Sequence, residues 1–254
     1  MKGNNLAVCG AIAGLVLSLP LSGLAAEGKP GSPSAQAGVQ SPGGSSVAPV
    51  MYKPPRKGTP APGSRRGGGS RGTNKSVPVI SLLAPDHVGL TLQEQPVLFW
   101  FTPTKQNNPV EFTLIKENAD VPVVETKLPP TAQPGLQQIR LSDYKVKLSP
   151  GERYQWSVAL ILDAEEGSAN IVAMGAIERI EPGKLEQPLP TNLSKAEAPK
   201  RYAEAGIWYD AVMAISDLIQ SNPADTGLRQ QRASLLQQVG LTDVGTLDMK
   251  LRAD

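Results

Sequence analysis

The sequence predicts an α+β protein: an antiparallel β-sandwich followed by a C-terminal helical hairpin docked on it. Three observations carry this. Between Val77 and Ile180 short apolar runs are separated by turn-forming clusters, as in all-β sandwiches. Within that region Tyr154, Trp156, Val158, Leu160 and Leu162 fall on one side of a period-two strand, with Gln155, Ser157 and Ala159 on the other. Beyond Ser194 the apolar spacing changes to that of amphipathic helices.

In chain order, residues 1–26 read as a secretory signal peptide. Lys2 precedes an apolar run from Leu6 to Leu21, and Ser22-Gly23-Leu24-Ala25-Ala26 supplies the small residues of a cleavage site after Ala25 or Ala26. The run contains Pro20 and is short for a membrane span, which favours removal over anchorage. Cys9 is the only cysteine and lies inside this segment; Val8 before it is not the small residue that lipid attachment requires. The mature chain is therefore expected to have neither thiol nor disulfide, and to be exported to the periplasm or beyond the cell.

Residues 27–76 are dominated by Gly, Pro, Ser and Ala, and read as a disordered linker that cannot bury enough apolar surface to offset its ordering entropy. Eight basic residues face one acidic residue there, whereas residues 77–254 carry 16 basic and 22 acidic ones. The near-neutral total hides a basic segment on an acidic body. Arg65, Arg66 and Arg71 are the candidate anion contacts. They could serve a soluble spacer, an anionic glycan or membrane surface, or the protein's own acidic body. No nucleic-acid partner is expected for an exported chain.

Residues 77–182 form the sandwich. Strands are expected at Val79–Leu83, Val88–Leu92, Pro96–Phe101, Val110–Lys116, Val121–Thr126, Leu136–Leu141, Glu152–Leu162 and Ile171–Ile180, with Pro122 marking its strand as an edge. Leu148-x-Pro-Gly-x-x-Tyr154-x-Trp156-x-Val resembles the approach to a central strand of fibronectin type III and related immunoglobulin-like domains. There the tyrosine hydroxyl bonds back to the upstream backbone. Pro96-Val-Leu-Phe-Trp100-Phe is similar to an early strand that sends a tryptophan into such a core. Trp100, Tyr154, Trp156 and Trp208 are the expected structural core.

Residues 194–241 form the helical region. Ser194-Lys-Ala-Glu197 reads as a capping box, with Pro199 tolerated in the first turns. A second helix from Trp208 to Gln220 places Trp208, Val212, Ile215 and Ile219 on one face, and Asp225 caps a third that ends before Gly240. This resembles a tetratricopeptide-like hairpin plus one helix, which cannot bury its own face and must dock on the sandwich. Residues 242–254 read as a tail.

The Arg-Gly-Gly-Gly-Ser-Arg-Gly segment, the Phe-Trp-Phe strand, Tyr-x-Trp and Tyr-Ala-Glu-Ala-Gly-Ile-Trp-Tyr-Asp-Ala together resemble domain-of-unknown-function family 928 (DUF928), over about Arg65 to Leu241. The family is found mainly in cyanobacteria, and many members carry a cysteine pair that this chain lacks. The resemblance implies an exported protein of unassigned activity.

Catalytic vocabulary is sparse. His87 is the only histidine, and no Gly-x-Ser-x-Gly accompanies it, so neither a Ser-His-Asp hydrolase nor a zinc site is expected. The oxygen-rich run Asp163–Asn170 reads as a solvated hairpin turn rather than a calcium loop, and Glu165-Glu166 is a poor pair for glycoside chemistry. No catalytic residue, cofactor or metal site is assigned. The expected function is a non-enzymatic envelope protein that binds another protein. An anionic polysaccharide or peptidoglycan binder and an unrecognised hydrolase are the alternatives, and the oligomeric state is left open.

Overall fold

A computed structural model describes residues 50–55, 58–68, 80–163 and 170–251. Residues 1–26, expected from the sequence to be a signal peptide and containing Cys9, most of the basic stretch with Arg71, and Glu165-Glu166 lie outside the described residues.

The architecture is mixed α+β, with nine strands in two sheets and four α-helices among the described residues. The strands are β1 (Arg66–Gly67), β2 (Ile80–Leu82), β3 (Gly89–Thr91), β4 (Val97–Thr102), β5 (Val110–Lys116), β6 (Val124–Leu128), β7 (Gly135–Arg140), β8 (Arg153–Leu160) and β9 (Ile171–Arg179). One sheet has the order β1-β2-β4-β7 and the other β3-β9-β8-β5-β6. All pairings are antiparallel except β3 with β9.

The two sheets share one apolar core. Trp156 and Leu114 stand opposite each other across β8 and β5, as do Val158 and Phe112, and all four are buried. Leu82 and Ala84 come down onto Gly175 of β9, where a Cβ would lie 3.1 Å from Ala84 Cβ and 3.2 Å from Trp156 Nε1. A side chain at Gly175 would hold the sheets apart. The corner before β8 is fixed by Tyr154, whose hydroxyl accepts a hydrogen bond from the Ser149 backbone N–H at 3.1 Å.

Strand β4 is buried at every position. Trp100 stands opposite Leu82, so with Leu98 it faces the shared core, and Val97, Phe99 and Phe101 face the other way. That second face is covered by helices: Phe99 shares a groove with Ser216 and Ile219. The helices are α1 (Ala198–Glu204), α2 (Trp208–Ser221), α3 (Thr226–Gln238) and α4 (Thr242–Lys250). Ser194 and Glu197 bond to one another ahead of α1, which carries Pro199 at its start. Asp225 caps α3 through Gly227 N–H and Leu228 N–H. No helix among the described residues is long and apolar enough to cross a membrane.

Two boundaries read from the sequence are corrected. Residues 242–254 are not all tail, because α4 buries Val244 and sets Asp248 in a buried ion pair with Arg232 at 2.6 Å. The boundary at residue 76 is also too late. Val50 and Tyr52 are buried in the core cluster, and β1 pairs with β2. These residues form a strap tied down by partners far along the chain: Tyr52 N–H bonds Gln238 Oε1, Gln238 Nε2 bonds Val50 O, and Lys53 N–H bonds Ala203 O. A composition poor in apolar residues is ordered here by backbone hydrogen bonds and one buried aromatic.

Candidate functional site

The start of α2 fills the gap between β2 and β3, with three consecutive residues reaching three places. Trp208 Nε1 donates to Leu83 O at 2.8 Å. Tyr209 Oη donates to Ala176 O at 2.9 Å and accepts from Trp156 Nε1 at 2.8 Å. Asp210 Oδ2 accepts from Thr91 Oγ1 at 2.6 Å and Leu92 N at 3.2 Å, and Oδ1 accepts from Gln93 Nε2 at 3.3 Å. Gly89 permits this seat, since a Cβ there would meet Tyr209 Cε2 at 2.6 Å.

Burial pushes the Asp210 carboxyl up to about 6, against the pull of the hydrogen bonds from Thr91, Leu92 and Gln93. Burial likewise pushes the Tyr209 phenol well above its ordinary value. A raised carboxyl in a cleft is a catalytic signature when a second group and room for substrate accompany it. Asp210 is sealed by a hydroxyl, an amide and a backbone N–H, so its geometry serves docking of α2 rather than proton transfer to a substrate.

The strap forms the second cluster. Tyr52 Oη lies 2.9 Å from His87 Nε2, and His87 Nδ1 lies 3.1 Å from Asp86 Oδ1. Tyr52 also meets Trp208 edge-on at 5.0 Å. The hydrogen bond with His87, and next the charge of Arg65, hold the Asp86 carboxyl below its usual range, while burial pushes the Tyr52 phenol up. The sole histidine therefore joins strap to body, and its ring nitrogens face a phenol and a carboxylate rather than a serine.

Arg65 and Arg66 line a groove of about 360 Å³ with Asp86, Met174 and Gly240. Arg65 Nη1 donates to Ala84 O at 3.2 Å. Arg66 Nη2 donates to Gly240 O at 2.9 Å and pairs with Asp243 at 2.6 Å. Both guanidinium groups thus engage this chain's own body, one of the destinations their sequence context left open. Trp100, Tyr154, Trp156 and Trp208 are all buried.

The third region is the outer face of the five-stranded sheet. Glu111, Thr113 and Ile115 of β5 and Gln155 and Ser157 of β8 are half-exposed, alternating with buried neighbours. Strand β6 is the sheet's edge, with Glu125 and Lys127 exposed and Val121 and Val123 exposed just before it. Sequence reading marked the edge through Pro122 but did not single out this face. The alternation that shows it was legible; that helices would cover the outer face of β4 and leave that of β5 and β8 uncovered was not.

No curated protein matches the chain. Among solved structures, an engineered protein aligns at 9% identity and TM-score 0.27, over 40% of this chain and 20% of its own length. A multi-domain immunophilin from Arabidopsis thaliana aligns at 8% identity and TM-score 0.16, over 75% of this chain and 97% of its own. The chain thus spans about a fifth of the length of the engineered protein, and at these scores neither likeness bears on fold or activity. The family described as Domain of Unknown Function (DUF928) matches residues 66–248, which run from β1 through nearly all of α4, and the chain belongs to that family.

Proposed function

We propose that this protein is an exported, non-enzymatic component of the cell envelope that acts as a protein-interaction module, presenting the outer face of its five-stranded sheet to a partner. The observation that carries this reading is the unequal cover of the two sheets. Helices pack on β3, β4 and β7, while β5 and β8 keep a half-exposed outer face of mixed polarity. That face sets the apolar Ile115 among the polar Glu111, Thr113, Gln155 and Ser157, a mixture that a partner surface can cover.

The finer fold reading supports a binding role. The strand order, the parallel pairing of β3 with β9 and the Tyr154 bond to Ser149 resemble an immunoglobulin-like sandwich, an architecture that often presents surfaces to other proteins. The packed pairs α1–α2 and α3–α4 resemble tetratricopeptide-like hairpins. Export rests on the N-terminal segment. The competing anionic-glycan reading would rest on cations other than Arg65 and Arg66, which are turned onto the body.

A photo-crosslinking residue at Ser157, compared with one at exposed Gln230 on α3, tests the reading in intact cells. A discrete adduct with one envelope protein from position 157, absent from position 230, is expected. No adduct from 157, or equal adducts from both positions, overturns it, and salt-sensitive retention on cell-wall material in their place would favour the glycan reading.

A further inference from the structure

We infer that β6 is the interface of a homodimer, in which two copies of the strand pair antiparallel about a two-fold axis through Thr126 and join two five-stranded sheets into one. The main-chain geometry sets this up. Pro109 O accepts from Ile161 N–H, and Glu117 N–H donates to Arg153 O, so the odd residues of β5 direct their backbone groups at β8. The even residues face β6, where Val110, Phe112 and Leu114 stand opposite Leu128, Thr126 and Val124. Those three residues of β6 are thereby satisfied, and Glu125 and Lys127 direct their N–H and C=O outward from the sheet edge.

The side chains select the partner. In an antiparallel pair of β6 strands centred on Thr126, Glu125 stands opposite Lys127 of the second copy, and Lys127 opposite its Glu125. The four outward backbone groups of each strand then meet their complements, and both cross-strand neighbours are opposite charges on one face. Glu111, already opposite Lys127 on β5, adds a second carboxylate beside that lysine. On the other face half-exposed Val124 meets half-exposed Leu128.

Other registers fail. A slip by one residue sets outward groups against inward ones, and a slip by two sets Glu125 against Glu125 or Lys127 against Lys127. The edge is also short. Pro122 on one side and Pro129 and Pro130 on the other lack the N–H that a longer foreign strand would need. A lysine on an edge strand commonly repels other strands; here its neighbour at 125 makes the same edge complementary to itself. The interface is isologous, as a closed dimer requires. It is independent of the proposed face contact, because it uses the main chain of β6 rather than the outward side chains of β5 and β8.

The test is sedimentation velocity of the full chain over a concentration series. Wild type should form a concentration-dependent dimer. Glu125→Lys alone, which sets lysine against lysine, and Lys127→Glu alone, which sets glutamate against glutamate, should each weaken it by about tenfold or more. Mixing the two variants should restore association as a heterodimer, since each then offers the charges the other lacks. Thermal melts of each variant establish that both remain folded. In a Cys9→Ser background, Thr126→Cys should crosslink two copies on oxidation faster than Glu125→Cys, because only position 126 faces itself across the axis. A wild type monomeric to about 200 µM, single variants that dimerise like wild type, or a mixture no more associated than its components would each overturn the inference. Capture of an envelope partner at position 157 would be untouched by any of these results.

Discussion

The two sheets are built from similar residues but by different rules. The strand at the centre of the four-stranded sheet reads Val-Leu-Phe-Trp-Phe-Thr without a break and is buried throughout. The strands at the centre of the other alternate, with Phe112, Leu114, Trp156 and Val158 inside and Glu111, Thr113, Gln155 and Ser157 outside. A continuous apolar run needs cover on both faces, and α2 supplies it; an alternating run needs cover on one. The comparison teaches where function has room. The capped sheet has committed both faces to stability, and the open one has a face to spare.

The largest effect should come from breaking the capped side. Phe99→Ala removes an aromatic ring held between β4 and α2, and a loss of about 3–5 kcal/mol in urea unfolding is expected. If helix docking is instead marginal, the loss will be near that of an exposed site, and the contrast between the sheets will not hold.

Asp210 sharpens the comparison from the docking side, through pH. An unfolded aspartate ionises near 3.8 and this buried one near 6. Between those values the unfolded chain holds fewer protons than the folded one. Stability therefore falls as pH rises through the window, and the penalty is complete above about pH 6, at no more than about 3 kcal/mol. Asp86, and Glu94, whose carboxyl is held low by the hydrogen bond and charge of Lys147, act oppositely but only at more acid pH, where their support is lost. Urea midpoints of wild type should thus rise from pH 7 to pH 5, and Asp210→Asn should flatten that slope. An unchanged slope would place the pH response elsewhere.

The smallest effect is expected on the open face. Ser157→Lys should change stability by less than about 0.5 kcal/mol, while abolishing any partner contact there. A large destabilisation would mean that this face is packed in a way its exposure does not suggest.

Much of the fold was legible in local pattern. The eight strands foreseen between residues 79 and 180 are all present, because a Pro-Gly corner and period-two alternation act over a few residues. The helices α1 to α3 and the Asp225 cap were legible for the same reason. Helix α4 was not: Thr-Asp-Val-Gly-Thr-Leu-Asp carries a weak apolar face and a glycine, and it is held by packing of Gly245 on Ala233 and by the Asp248 pair with Arg232. The strap was invisible for a related reason. Nothing in the sequence near Tyr52 and Lys53 announces Gln238 and His87 as partners of the one or Ala203 as partner of the other.

The sequence alone determined where β2 to β9 and α1 to α3 run, which of their faces are apolar and which corner Tyr154 holds, since each depends on spacing within a few residues. Only the tertiary structure decided that a Gly- and Pro-rich stretch lies down on the body, that Arg65 and Arg66 bond to that body, and that helices cover the outer face of β4 while that of β5 and β8 stays uncovered. Those outcomes depend largely on groups far apart in the chain, such as Arg66 with Gly240 and Tyr52 with Gln238, and such distances become short only once the chain has closed its core.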